Sequence, residues 1–267
     1  MSSASARTAT TCSTSLVVFA DVGDGLTLEV AEAPRLTVTG PFAGAIPPGD
    51  DNLALRAVRR LAAAAGRPDG IAVTLDKRLP VAAGIGGGSA DAAAVLRGLA
   101  VLWDLAPDDS RLLEVAAGLG ADVPVCLAGR TAWLGGIGER LEPGPDLAGV
   151  PILLVNPGVP LSTPDVFRAR SGGFSAEARF AEARPTLERL CALLAGRGND
   201  LATPATSLVP VVGEVLSALA AQPGCRLARM SGSGATCFGL FDGPAAAKAA
   251  EAALAGRGWW AAAAALL

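Results

Sequence analysis

The chain has 267 residues, a net charge of −3, 51% hydrophobic and 18% charged residues, so it can bury a large core and form two lobes, with no basic surface for nucleic acid. Pro, Gly, Asp or Arg interrupts every apolar run before it can span a bilayer, no leader-like pattern opens the chain, and five cysteines without a CxxC pair argue against a disulfide framework; a reduced cytoplasm is the expectation. There is no His and no Tyr, and Lys77 and Lys248 are the only lysines, which rules out His-ligated metal and leaves Asp, Glu or Lys as any general base.

Leu16–Phe19, Leu26–Ala31 and Arg35–Thr39 read as short strands separated by Gly23-Asp24-Gly25 and Gly40-Pro41. Residues 52–65 read as a helix stopped at Gly66, with Asp50 or Asp51 as its cap. Ile71–Leu75 is a strand. A glycine-rich loop follows, then a helix from about Ala90 to Leu102 and another over Ser110–Leu119. Thr131–Leu134 and Ile152–Val155 are strand-like, and Pro143-Gly144-Pro145 between them marks a loop and a lobe boundary. Helices are predicted over Thr163–Ala169, Pro185–Leu194, Leu208–Ala220 and Ala245–Leu254. Ala228–Phe241 holds a second glycine-rich turn and a strand. Alanine runs fit helices. The order predicts an α+β fold with a mostly antiparallel sheet in each half.

The most informative stretch is Pro80–Ala94, PVAAGIGGGSADAAA. Glycine admits left-handed backbone and close approach to a ligand. A glycine turn running into a helix N-terminus leaves N–H groups unpaired at the positive end of the helix dipole, an arrangement that binds phosphate. Ser89 can cap the helix or bind a phosphate or metal, and Asp91 is expected in the first turn. No Gly-Lys-Ser/Thr follows, so this is not a Walker loop, and the spacing Gly84-Ile85-Gly86-Gly87-Gly88 is not that of a dinucleotide fingerprint. The plain alternative is a tight turn without a ligand.

Gly40-Pro41-Phe42, Asp51-Asn52-Leu53, the glycine loop, Gly120–Val125, Asn156-Pro157-Gly158 with Ser162-Thr163, Asn199-Asp200-Leu201 and Met230–Phe238 occur in an order that resembles the GHMP small-molecule kinase superfamily from about Leu16 to Trp260. Co-occurrence of GADVPV, NPG with ST, and NDL is similar to the branch acting on a cytidine-diphospho sugar alcohol of isoprenoid synthesis. The homoserine and mevalonate branches, or a catalytically dead nucleotide-binding remnant, are the alternatives. The resemblance implies a two-lobed fold, with an ATP-binding lobe at 16–148 and a second lobe at 149–267. It implies ATP with Mg²⁺, a small-molecule substrate, no nucleic-acid or membrane partner, and leaves a homodimer open.

By the same resemblance, Pro80, Val81, Ala82, Ala83, Gly84, Ile85, Gly86, Gly87, Gly88, Ser89 and Ala90 wrap the ATP phosphates. Asp122 is the catalytic carboxylate, with a turn or helix-cap Asp as the alternative. Ser231, Gly232, Ser233 and Gly234 form a second loop that closes on substrate and phosphates, with an ordinary hairpin as the alternative. Asn52 lies on the nucleotide side or simply starts a helix. Lys77 offsets phosphate charge or is solvated. Trp259-Trp260 packs a terminal strand rather than stacking on a base.

The N-terminus departs from the family. The family pattern is a strand of the form Ala-Lys-Ile-Asn-Leu, whose Lys works with the catalytic Asp, then Pro-Asp-Gly-Tyr-His, which holds the cytidine end. Residues 1–15 here are a Ser/Thr/Ala segment without hydrophobic periodicity, read as disordered. The peptide Gly-Lys-Arg-Pro-Asp-Gly-Tyr-His-Leu-Leu-Asp, written in GC-rich codons and translated one base later, gives Ala-Ser-Ala-Arg-Thr-Ala-Thr-Thr-Cys-Ser-Thr. That is Ala4–Thr14 without a mismatch. The segment is therefore expected to be out of frame to about Ser15, with little kinase activity in the chain as written.

Overall fold

The computed structural model describes residues 12–46, 51–136, 140–176 and 178–267. Strand β1 (Cys12–Val17) starts earlier than the apolar pattern indicates, inside the segment read as disordered. It pairs antiparallel with β5 (Ala132–Gly136), with an irregularity between Cys12 and Ser15, and β5 pairs with β6 (Arg140–Pro143). Backbone pairing suits almost any side chain, so residues 12–15 join the sheet despite lacking hydrophobic periodicity. Residues 1–11 of that expectation lie outside the described residues, as does Asp50.

Strands β2 (Gly25–Val30), β3 (Arg35–Thr39) and β4 (Ile71–Asp76) form a second sheet, ordered β2-β4-β3. β3 runs parallel to β4, and helix α1 (Leu53–Ala65) is the crossover between them. The sheets are thus not purely antiparallel. Asn52, not an aspartate, caps α1: its Oδ1 accepts from the Ala54 N–H at 2.9 Å. Gly66 ends the helix in the left-handed conformation. Ala54, Leu55, Ala57, Val58, Leu61 and Ala62 give α1 a buried face at helical spacing. That face packs with α2 (Gly87–Leu102), α3 (Ser110–Leu119) and α4 (Val123–Ala128) into one core, centred on Leu61, Leu96, Leu99 and Leu112.

The second half holds a four-stranded antiparallel sheet ordered β10-β7-β9-β8, built from β7 (Pro151–Asn156), β8 (Cys225–Met230), β9 (Cys237–Phe241) and β10 (Trp260–Ala265). Helices α5 (Thr163–Ala169), α6 (Leu187–Ala195), α7 (Ala202–Leu208), α8 (Val211–Ala220) and α9 (Pro244–Ala255) accompany it. One face of the sheet packs Leu153, Val155, Cys237 and Phe241 against Val212, Val215, Leu219 and Leu254. The other packs Ile152, Leu240 and Leu266 with Leu147 and Leu190, and Leu16 and Ala20 of the first half join them. The two halves are tied again where the Leu267 N–H donates to Phe19 O at 2.9 Å and the Asp21 N–H to Ala265 O at 2.9 Å. No helix among the described residues is long and apolar enough to cross a membrane.

Candidate active site

The first glycine loop joins β4 to α2, and the helix begins inside it, at Gly87. Gly86 is the cap residue, at φ 71°, and no side chain caps the helix. Ser89 is therefore the third residue of the helix and does not cap it. Ala82, Gly84 and Gly86 have φ of 53°, 72° and 71°, whereas Ala83 and Ile85 do not have positive φ. This alternation is the backbone conformation in which successive N–H groups converge on one point and form an anion-binding concavity. It opens onto the N-terminus of a 16-residue helix, whose dipole favours negative charge there.

Lys77 sits below this loop and is not solvated. It is 2% exposed, and its Nζ donates to Asp24 Oδ2 and, at 2.9 Å, to Asp91 Oδ2. Asp24 Oδ1 accepts from the Arg78 and Leu79 N–H groups at 2.6 and 2.8 Å. Asp91 lies in the second turn of α2, because the helix starts three residues before Ala90. Burial pushes the Asp91 carboxyl up to about 6, against the pull of the Lys77 ammonium. A carboxyl raised in the folded state binds its proton more tightly there than when unfolded. Its contribution is therefore favourable below pH 4 and is lost as pH rises to about 6. Urea titrations should show parent stability falling relative to Asp91→Asn between pH 4 and 6. A constant difference would refute the assignment.

The second glycine loop, between β8 and β9, is held from four sides. Asn199 Nδ2 donates to Met230 O at 3.0 Å and Gly232 O at 2.7 Å. Thr163 Oγ1 and Ser233 Oγ are 2.6 Å apart. Buried Asn156 donates through Nδ2 to Thr236 Oγ1 at 2.9 Å while its Oδ1 accepts from the Gly158 N–H. The three motifs NPG, ST and NDL thus converge on one loop, far apart in sequence but adjacent in space. The fourth side is the first glycine loop itself. Ser231 Oγ donates to Gly84 O at 3.0 Å and the Thr236 N–H to Ala83 O at 3.1 Å. The two loops meet backbone to backbone, and a Cβ on Gly84 would lie well inside van der Waals contact distance of Gly234 O. Gly84→Ala therefore adds an overlap to a left-handed φ that alone costs an L-residue about 1–2 kcal/mol. We expect lower melting temperature and weaker ATP binding together; an unchanged ATP Kd would contradict the placement of phosphate at this loop.

Asp122 is exposed at the N-terminal end of α4, with Pro124 inside the first turn. It occupies the cap position of α4, within a turn, but its side chain makes no cap hydrogen bond. Among the described residues the Asp122 carboxylate has no hydrogen-bond or ion-pair partner, while its carbonyl accepts from the Cys126 N–H at 3.1 Å. An uncommitted carboxylate is what a base for an incoming hydroxyl requires. The nearby thiol is a poor competitor: burial pushes Cys126 up to about 11. Asn52 is occupied as a helix cap. Trp260 begins β10 and pairs with Asn156, as the terminal-strand reading expects. The structure thus joins residues 80–90 to 231–234, while Asp122 stands on its own element. The Lys77–Asp24–Asp91 cluster was not legible as a unit, although Asp24 lies in a glycine turn and Asp91 four residues inside a helix; no spacing rule links them.

Two family models match the chain: GHMP kinases N terminal domain over residues 52–130 and GHMP kinases C terminal over residues 178–258. A 4-diphosphocytidyl-2-C-methyl-D-erythritol kinase of Paramagnetospirillum magneticum is 55% identical over 255 residues, covering 95% of this chain and 89% of that protein. The chain belongs to the GHMP kinases. A second relative, from Rhodospirillum rubrum and of the same name, is 52% identical over 93% of this chain and 83% of its own length. Among solved GHMP folds, a 4-(cytidine 5'-diphospho)-2C-methyl-D-erythritol kinase is 39% identical with a TM-score of 0.74, covering 95% of this chain and 89% of that one. A homoserine kinase from Cytophaga hutchinsonii has a TM-score of 0.68 at 18% identity, covering 92% of this chain and 86% of that one, a likeness of fold alone. The GHMP glycine loop of this chain lies within the first matched domain, and the second loop, Ser231–Gly234, within the other.

Proposed function

We propose that this chain transfers the γ-phosphoryl group of ATP to the 2-hydroxyl of 4-diphosphocytidyl-2-C-methyl-D-erythritol. The observation that carries phosphoryl transfer is the alternating backbone of residues 82–86 opening on the head of α2. The choice of acceptor rests on the names of relatives that are 49–55% identical over 92–95% of the chain. Those relatives do not favour a homoserine or mevalonate kinase.

Phosphoryl transfer asks little covalent chemistry of the protein, so positioning and charge stabilisation carry it. Residues 80–90 wrap the phosphates, with the N–H groups supplied between Pro80, which has none, and Ala90, whose N–H donates to Gly86 O at 2.9 Å. Asp122 orients the acceptor hydroxyl and takes its proton, a role no histidine can fill here. Ser231–Gly234 closes the site from the second lobe. We assign 16–148 to the ATP-binding lobe and 149–267 to the other. Mg²⁺ neutralises phosphate charge when bound. The described residues contain no group of three or more His, Cys, Asp and Glu able to hold a metal by themselves. The Ser89 hydroxyl, at the head of α2, is the side chain we assign to the ion. Phosphorus NMR of the product formed from ATP and this acceptor, with homoserine and mevalonate as controls, tests the reading. Phosphorylation of a control in preference would overturn it.

A further inference from the structure

Lys77 has the burial and partners of a residue that holds something in place. It follows the last residue of β4. Its ammonium is shared between Asp24, just before β2, and Asp91, on α2. The side chains of Lys77, Asp24 and Asp91 are 3%, 2% and 10% exposed. A lone buried ammonium or carboxylate is costly, and pairing with hydrogen bonds offsets that cost. One ammonium between two carboxylates leaves no surplus positive charge to offer a phosphate, which argues against direct charge neutralisation by Lys77.

The cluster grips the phosphate loop at both ends. At its entry, Asp24 accepts from the Arg78 and Leu79 N–H groups, the two residues before Pro80. At its exit, Asp91 anchors the second turn of α2, and a Cβ built on Gly87 would lie only 3.3 Å from Lys77 Nζ. Between these grips lies a run with glycine at 84, 86, 87 and 88, which loses more backbone freedom on ordering than any other residue type. Pinning both ends lowers the ordering cost left for the ligand to meet.

We propose that Lys77 is a positioning residue, a clamp that uses Asp24 and Asp91 to hold β4 against α2 and so keep residues 82–86 in their phosphate-binding conformation. This rests on the nucleotide reading given above. It predicts that breaking the clamp weakens binding in proportion to the phosphates on the ligand, not to the nucleoside.

Asp91→Asn and Asp91→Ala remove the same charge, but only Asn keeps an acceptor for Lys77. Titration calorimetry with ATP, and with adenosine by competition, compares the two in the otherwise unaltered chain. Asp91→Ala should bind ATP roughly tenfold more weakly than Asp91→Asn, the scale of a hydrogen bond to a charged group, with equal adenosine affinity. Equal ATP affinity in two folded variants overturns the clamp, as does an equal loss for adenosine. If Asp91→Ala does not fold, Asp91→Ser, too short to reach Nζ, takes its place with the same expectations. If the unaltered chain itself fails to bind ATP, the nucleotide reading fails first, a result distinct from a clamp that makes no difference.

Discussion

A chain whose N-terminus is restored to the family pattern should turn over ATP roughly 10²–10³ times faster than the chain as written, the scale of one lost transition-state donor. The restored form carries an Ala-Lys-Ile-Asn-Leu strand and the in-frame peptide in place of Ala4–Thr14. The physical case rests on lysine. The chain has two. Lys77 is locked between Asp24 and Asp91, and Lys248 is exposed on α9 and paired with Glu251. Neither is free to stand beside Asp122. The backbone cost is smaller, because β1 still pairs with β5 from Cys12 onward. Both forms should therefore fold and bind ATP, and differ in turnover and in KM for the cytidine substrate. ADP release measured side by side decides it. Similar turnover in the two would sink the proposal, as would a gene whose 5′ bases encode no such peptide in any frame.

Asp122→Asn, made in the restored chain, should lower kcat by on the order of 10²–10⁴, the usual contribution of a positioned base. Because the Asp122 side chain is exposed and makes no cap bond, removing its charge should leave stability within about 0.5 kcal/mol, as for other surface positions. ATP affinity should change little compared with kcat, since the proposed phosphate site lies on the backbone of residues 80–90. A variant that keeps more than a tenth of parental kcat would remove Asp122 from the reaction. One that melts early would return it to a structural role.

Most elements could be read from the sequence because their signals are local. Asn52 and Gly66 bracket α1, and the buried positions of that helix recur at helical spacing. The failures have physical causes too. Ala261–Ala265 has helical propensity, yet it forms β10. Pairing along β7 from Trp260 to Ala265 and the packing of Ala261 and Ala263 on the second core decide its state. The predicted helix at Leu208–Ala220 starts at Val211, after Pro210, and the chain before it forms α7. GADVPV reads as a motif but not as a helix, since α4 is only six residues long. At the site, both glycine loops were legible as loops, and the motifs around them as a family pattern. What joins Asn156, Thr163 and Asn199 to the second loop was not, because those contacts span 31 to 80 residues and follow from the tertiary fold alone.

The meeting of Gly84 with Gly234 has one more consequence. One place where the two halves touch is also the wall of the nucleotide pocket we propose, and apart from the Ser231 hydroxyl it is made of main chain on both sides. Side chains can be exchanged one at a time; main chain cannot. This contact therefore has no stiffness of its own that could drift while the grip we assign to it stayed the same. Any sequence change that loosens the articulation also retunes the handle, and selection on one acts at once on the other.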